Sequence, residues 1–352
     1  MEMAEKRYRF IRVTCVNLLA LVVWSISAGC ATTPPSAPDQ PRTGFGSKDY
    51  PYSDVEKLVF KEEESLFYIF YPKQNSVPQT ARFPVVVFLH GWLAKDPQWY
   101  GAWIEHLVRR GAVVIWPEYQ PSWVSMPTRF TGNTMDSVKK AFRYLRDHPS
   151  IPGDLDRLAI VGHSSGGILA ANYAALAGEH GLPKPHAVFA VHPGNTWIRV
   201  RGNHVPLEDM SSLPKESLLL VLIGDDDRVA LARDGKEIYQ NAAHLPTNRK
   251  NLVLFQTDDH GRPEIRSDHL APLAKDNAYS SAVIEKNALI EDDERNRQVE
   301  PTDYLIYWRI LDALIAVDRS TVGLPDIFGD YSDFDVGCWD DGKRIRALKR
   351  LR

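Results

Sequence analysis

Cysteine is scarce in this chain: three occur in 352 residues, and two of them, Cys15 and Cys30, fall near the start. Cys338 is alone in the remainder, which excludes an internal disulfide there and with it a disulfide-stapled scaffold. No histidine follows Cys338, so its expected role is a small side chain packed under the C-terminal segment rather than a thiol nucleophile. An excess of one charge is missing as well. With 42 Lys and Arg against 45 Asp and Glu the net charge is -3, and that balance argues against nucleic acid or another polyanion as partner. The apolar run over residues 13–26 falls short of the roughly 20 residues that a transmembrane helix requires, and Asn17 interrupts it. No internal repeat is visible, and no H-E-x-x-H or similar spacing marks a catalytic metal. What is present, 44% hydrophobic and 25% charged residues, suffices for one large core or two smaller ones.

Lys6, Arg7, Arg9 and Arg12 precede the apolar run and small residues follow it, the layout of an export signal over residues 1–29. Ser27-Ala28-Gly29-Cys30 resembles the lipobox of bacterial lipoproteins, with Ser27 where Leu is usual. The resemblance implies lipidation of Cys30 and a protein held on a membrane surface of the bacterial cell envelope. The alternative is simple cleavage after Gly29, leaving a secreted or periplasmic protein with a spare thiol. Residues 30–50, rich in Pro, Thr, Ser and Gly, read as a flexible tether.

Beyond the tether, strand and helix patterns take turns. Residues 58–60 and 66–71 form an antiparallel pair, and residues 83–89 a buried strand. Further strands are predicted over 112–116, 158–161, 187–191, 218–223 and 252–256. Helical periodicity covers 134–146 and 230–243, and a closing helix 301–317. Such alternation predicts an α/β fold with a mainly parallel, twisted sheet and helices on both faces, spanning 51–320. A C-terminal extension, 321–352, remains. The run Glu291-Asp292-Asp293-Glu294-Arg295 reads as a solvated surface helix or a flap. Near the end, Ile345, Leu348 and Leu351 recur at helical spacing among many cations. That pattern fits a helix on an anionic membrane or a frayed, solvated terminus.

The stretch that carries chemistry is Leu158-Ala159-Ile160-Val161-Gly162-His163-Ser164-Ser165-Gly166-Gly167. An apolar strand-type run ends in G-x-S-x-G and a helical pattern follows, so Ser164 falls on a strand-to-helix turn. Gly162 and Gly166 leave room for a strained turn that lifts the hydroxyl above the sheet. Ser164 is therefore a candidate nucleophile; an ordinary Gly/Ser loop is the bland alternative.

With two further motifs in order, residues 55–320 resemble the α/β-hydrolase family of serine hydrolases. Phe88-Leu89-His90-Gly91-Trp92 is similar to its strand ending in His-Gly. That likeness implies the backbone N–H of Trp92 as one oxyanion-hole donor and the N–H of Ser165 as the other, with His90 bracing the loop. Two aimed amides matter because negative charge reaches the carbonyl oxygen only in the tetrahedral intermediate. In Gly224-Asp225-Asp226-Asp227 the family pattern selects Asp227 as the acid that orients the base, with Asp225 and Asp226 as rivals or a solvated acidic turn. Two histidines follow the strand at 252–256. His260 stands at the usual distance, whereas His269 carries a His-x-Ala-Pro context that resembles lidless esterases and polyester hydrolases. His269 is preferred, with His260 as the alternative base.

Asp258, Asp259, His260 and Asp268 also gather hard or borderline metal ligands in one loop, but without a metal-site spacing. Only residues 193–215 separate two strands where many lipases carry a cap, so no large cap domain is expected. Trp92, Trp197 and the loop Glu118-Tyr119-Gln120-Pro121-Ser122-Trp123 could line an aromatic cleft, or could pack under loops. The resemblance implies cleavage of carboxylic esters, of small molecules or of lipids and polymers, through an acyl-Ser164 intermediate without a cofactor. Thioester hydrolysis or acyl transfer would use the same residues, and a non-catalytic envelope protein could keep the fold as a binding scaffold.

Overall fold

Val, Ile, Leu and Phe crowd the runs that precede each loop, and in a computed structural model of the chain these runs are strands of one ten-stranded sheet. The structure describes residues 33–62, 65–73, 78, 80–122, 124–194, 204–284, 298–317, 333–346 and 348–351. The strands are β1 (Val55–Glu62), β2 (Ser65–Pro72), β3 (Phe83–Leu89), β4 (Val113–Pro117) and β5 (Gly153–His163). They continue with β6 (Ala187–Val191), β7 (Leu218–Gly224), β8 (Lys250–Phe255), β9 (Asp333–Phe334) and β10 (Leu348–Leu351). Their spatial order is β1-β2-β4-β3-β5-β6-β7-β8-β10-β9. From β4 through β8 every pairing is parallel, while β1, β2, β9 and β10 form antiparallel edges.

Parallel strands covered on both sides must be apolar at nearly every position, and β3 and β7 are buried along their whole length. Alternation still sorts the side chains. Val86 and Phe88 enter a core with α1 (Gly101–Arg109) and α5 (Trp308–Ala316), whereas Val85, Val87 and Leu89 enter one with α2 (Phe130–Asp147), α3 (Ser165–Leu176) and α4 (Arg233–Asn241). Helix α3 is buried from Ser165 to Ala175, which explains its small and apolar composition. No described helix is long and apolar enough to cross a membrane.

The chain runs from β3 to its neighbour β4 on one side and then to β5 on the other, so the order switches at β3. Loops leaving the C-terminal ends on either side of such a switch diverge and open a crevice. Register aligns those ends: Leu89 pairs with Gly162, Gly162 with Ala190, Ala190 with Val221, and Val221 with Leu252.

Several local expectations differ from the structure. The helix predicted from 230 starts only at Arg233, because Leu231 and Ala232 take left-handed φ values of 53° and 56° that no helix accommodates. The closing helix contains a π-helical turn, Asp303–Tyr307, after its first two residues. Residues 34–48 are fastened at several points, although many of them are exposed: Gly46 N donates to Asp312 Oδ2 at 2.8 Å, Tyr304 Oη donates to the Pro38 carbonyl, and Ser47 is buried. Helical spacing at the C-terminus is not realised either, since residues 348–351 pair antiparallel with β8 and bury Leu348. Cys338 is exposed, so it has no packing role. The export signal, Cys30, Trp123, Trp197 and the acidic run Glu291–Arg295 lie outside the described residues.

Candidate active site

Strand β5 ends at His163 and α3 starts at Ser165, so one residue must reverse the chain. That residue, Ser164, takes φ 56° and ψ −123°, a conformation that costs a non-glycine residue of order 1–3 kcal/mol. The turn is held by Ser164 N donating to the Val191 carbonyl at 3.0 Å, and by its own carbonyl accepting from Gly167 N and Gly194 N. A Cβ at Gly162 would collide with the Gly166 carbonyl, and one at Gly166 with the Leu89 carbonyl. Those two glycines are therefore required by backbone contact.

Three loops meet at this turn. Asp227 lies beyond β7 and His269 beyond β8; His269 Nδ1 is 2.8 Å from Asp227 Oδ2 and its Nε2 is 2.9 Å from Ser164 Oγ. An ionised carboxylate only accepts, so Nδ1 carries the proton, and the neutral ring offers Nε2 as acceptor for the serine hydroxyl. The Gly194 carbonyl, 3.1 Å from Oγ, is the competing acceptor for that single proton.

His260 is not part of this arrangement. Its Nε2 donates to Asp341 Oδ2 at 2.7 Å, and Lys343 Nζ donates to Nδ1. Nor are the three aspartates equivalent. Asp225 accepts from Thr257 N at 2.9 Å and from Ser267 Oγ at 2.6 Å, fastening the loop that bears His269, while Asp226 faces solvent beside Arg228. Asp258 accepts from the backbone N–H groups of His260 and Arg346 and from Trp339 Nε1. Among the described residues no group of three or more His, Cys, Asp or Glu side chains is arranged to hold a metal ion.

The His90-Gly91-Trp92 loop lies against the turn, close enough that a methyl on Gly91 would sit 3.5 Å from Ser164 Cβ. His90 is buried; its Nδ1 donates to the Gly91 carbonyl at 2.7 Å and its ring stacks on Tyr119 at 4.1 Å. Residues in and just after β4 secure the same loop: Tyr119 Oη donates to the His90 carbonyl, Gln120 Oε1 accepts from Leu93 N, and Trp116 Nε1 donates to the Lys95 carbonyl. Tyr119 is fully buried, so it does not line a cleft as the loop's composition allowed.

Four site residues went unnoticed in the sequence. Gly91 N donates to Tyr100 Oη at 3.1 Å; Tyr100 Oη lies 2.7 Å from His163 Nδ1; and His163 Nε2 lies 2.8 Å from the His269 carbonyl. A carbonyl can only accept, so Nε2–H donates to it and Nδ1 takes the tyrosine proton. His163 thus ties the serine turn to the backbone of His269, and burial holds its pKa well below the usual histidine range. His192, after β6, donates from Nδ1 to Asp227 Oδ2 at 3.2 Å, and Tyr307 Oη lies 2.9 Å from its Nε2. His163 alone carried a signal, its place inside G-x-S-x-G.

Burial by itself would raise the pKa of Asp227. The hydrogen bonds from His192 and His269 outweigh it and hold the carboxyl well below the usual carboxylate range, with Val229 N and Ala230 N each 2.8 Å from Oδ1.

Residues 86–220 match a protein family described as having the alpha/beta hydrolase fold. No curated protein sequence matches the chain. Among solved structures, an esterase of the fungus Rhizomucor miehei is similar at 17% identity over 60% of this chain and 75% of its own, with a TM-score of 0.44. A hyperthermophilic esterase of Pyrobaculum calidifontis is similar at 16% identity, covering 59% and 75%, with a TM-score of 0.45. A putative dienelactone hydrolase of Klebsiella pneumoniae is similar at 16% identity, covering 75% and 100%, with a TM-score of 0.49. The strand order, the switch at β3 and the match over 86–220 identify the fold of this chain as the α/β-hydrolase fold.

Proposed function

We propose that this protein is a serine hydrolase of carboxylic esters that works through an acyl-enzyme on Ser164. The observation that supports the reading is the unbroken series of hydrogen bonds from Ser164 Oγ through His269 to Asp227, set on a strained turn at the C-terminal end of β5. As Oγ attacks the ester carbonyl carbon, its proton passes to His269 Nε2 and the carbonyl electron pair moves onto oxygen. The N–H groups of Trp92 and Ser165 receive that oxyanion, Ser165 with the added field of the α3 N-terminus. Collapse breaks the bond to the alcohol, which leaves with the Nε2 proton, and the acyl group stays on Ser164. Water then attacks with His269 as base, the acid is released and Ser164 regains its proton. Asp227 keeps its charge throughout and stabilises the imidazolium.

The test is hydrolysis of p-nitrophenyl esters of graded acyl length. Ser164→Ala and His269→Ala should each lower kcat by about 10⁶-fold. His260→Ala, which removes a surface hydrogen bond to Asp341, should retain most of the rate. Absence of turnover by the wild-type protein, or persistence of turnover in Ser164→Ala, would overturn the proposal.

A further inference from the structure

We propose that His192 is a positioning residue: set in one tautomer by the Tyr307 hydroxyl, it anchors the carboxylate oxygen of Asp227 that orients His269. Its kinetic expectation rests on the proposed roles of Ser164, His269 and Asp227. His192 leaves β6 with φ 44°, its N–H donating to the Leu222 carbonyl, and its ring is sealed from solvent. Asp227 only accepts, so the neutral ring carries its proton on Nδ1 and takes the Tyr307 O–H at Nε2. Burial pushes the Tyr307 pKa far up, which keeps that hydroxyl a donor. The π-helical turn Asp303–Tyr307 delivers it to this place, a common use of such turns.

Room for the ring is made by Gly224. A Cβ there would lie 2.7 Å from His192 Cε1 and would also collide with the Ser267 carbonyl in the His269 loop. The result is a two-armed acid. Oδ1 is fixed by Val229 N and Ala230 N, and Oδ2 accepts from His269 at 2.8 Å and from His192 at 3.2 Å. One arm ends at Ser164 Oγ, on a residue that keeps 6% exposure; the other ends at Tyr307 Oη, on a residue with none. Only the first can do chemistry. The second keeps Oδ2 from swinging away from His269 when that ring takes a proton. His163 is the other histidine close by, its ring centroid 6.4 Å from that of His192 and 4.9 Å from that of His269.

The test compares His192→Phe, Tyr307→Phe, the double variant and His192→Asn in the full chain. Loss of a group that orients a catalytic side chain should lower kcat about 10–100-fold with KM nearly unchanged. His192→Asn, whose amide N–H can replace Nδ1–H, should recover most of that loss. The double variant should be no worse than His192→Phe, because Tyr307 acts only through His192. Low-field proton NMR supplies a readout that needs no substrate: His192→Phe should remove one imidazole N–H resonance and displace the resonance of His269. A kcat deficit that His192→Asn fails to restore, or a His269 resonance unmoved by His192→Phe, would overturn the assignment. If the wild-type protein turns over no ester, the proposed function fails and the NMR comparison alone decides the role of His192.

Discussion

Asp227 accepts four hydrogen bonds, and that saturation keeps a carboxylate charged in a buried site. Its folded-state pKa is depressed, so folding favours the ionised form. The stabilisation is fully present above the unfolded value of about 4 and is lost as pH falls toward the lower folded value. Asp227→Asn should therefore do two things. It should lower ester turnover by about 10⁴-fold through the wrong histidine tautomer. In urea unfolding it should also make the decline of stability below about pH 4 shallower than in the wild-type protein. An equally steep decline would mean that folding does not favour the charged carboxyl. Ser164 could be singled out because its motif follows directly on a strand, whereas Asp227, three residues past β7, was preferred over Asp225 and Asp226 only by its likeness to the family pattern. The two histidines after β8 could not be separated that way. Both stand on the same connection, and His269 is held at Ser164 by contacts between loops, among them Ser267 Oγ to Asp225 and His163 Nε2 to the His269 carbonyl.

At the scale of elements, apolar runs with strand composition marked β2 through β8, since burial on both faces leaves little freedom in composition. The short strand β10, which lies between β8 and β9, was not legible: four residues are too few to show alternation, and every third residue in Ile345, Leu348 and Leu351 imitates a helix. Tertiary pairing decided it. Lys349 lies opposite Leu254 and Leu351 opposite Leu252, while Ile345 and Leu348 join the core beside α5. Burying those two side chains is worth roughly 3–6 kcal/mol. A chain ending after Gly342 should accordingly unfold at lower urea concentration and lower temperature than the full chain. Equal stability would show that β10 contributes nothing to the fold.

Across the whole molecule, Asp312 gathers distant parts of the chain. Its Oδ2 accepts from Gly46 N at 2.8 Å, lies 3.1 Å from His106 Nε2 and pairs with Arg110 Nε at 3.0 Å. The segment before β1, the end of α1 and α5 are joined at one buried oxygen. Asp312→Ala should destabilise by about 2–4 kcal/mol, less than a sealed ion pair because Arg110 is partly exposed. The urea midpoint should fall accordingly, and an unchanged midpoint would show that the packed segment adds no stability. Composition had marked that segment as a tether, since Pro, Ser and Gly carry little apolar area; the contacts that order it are backbone groups without a residue signature. By itself the sequence determined the succession of buried strands and the glycine-framed turn at Ser164, because local sterics and burial restrict which residues can stand there. Only the tertiary structure decided which histidine meets Ser164, that His192 and Tyr307 back Asp227, and that both ends of the described chain pack on the domain, because these depend on contacts between residues far apart in the chain.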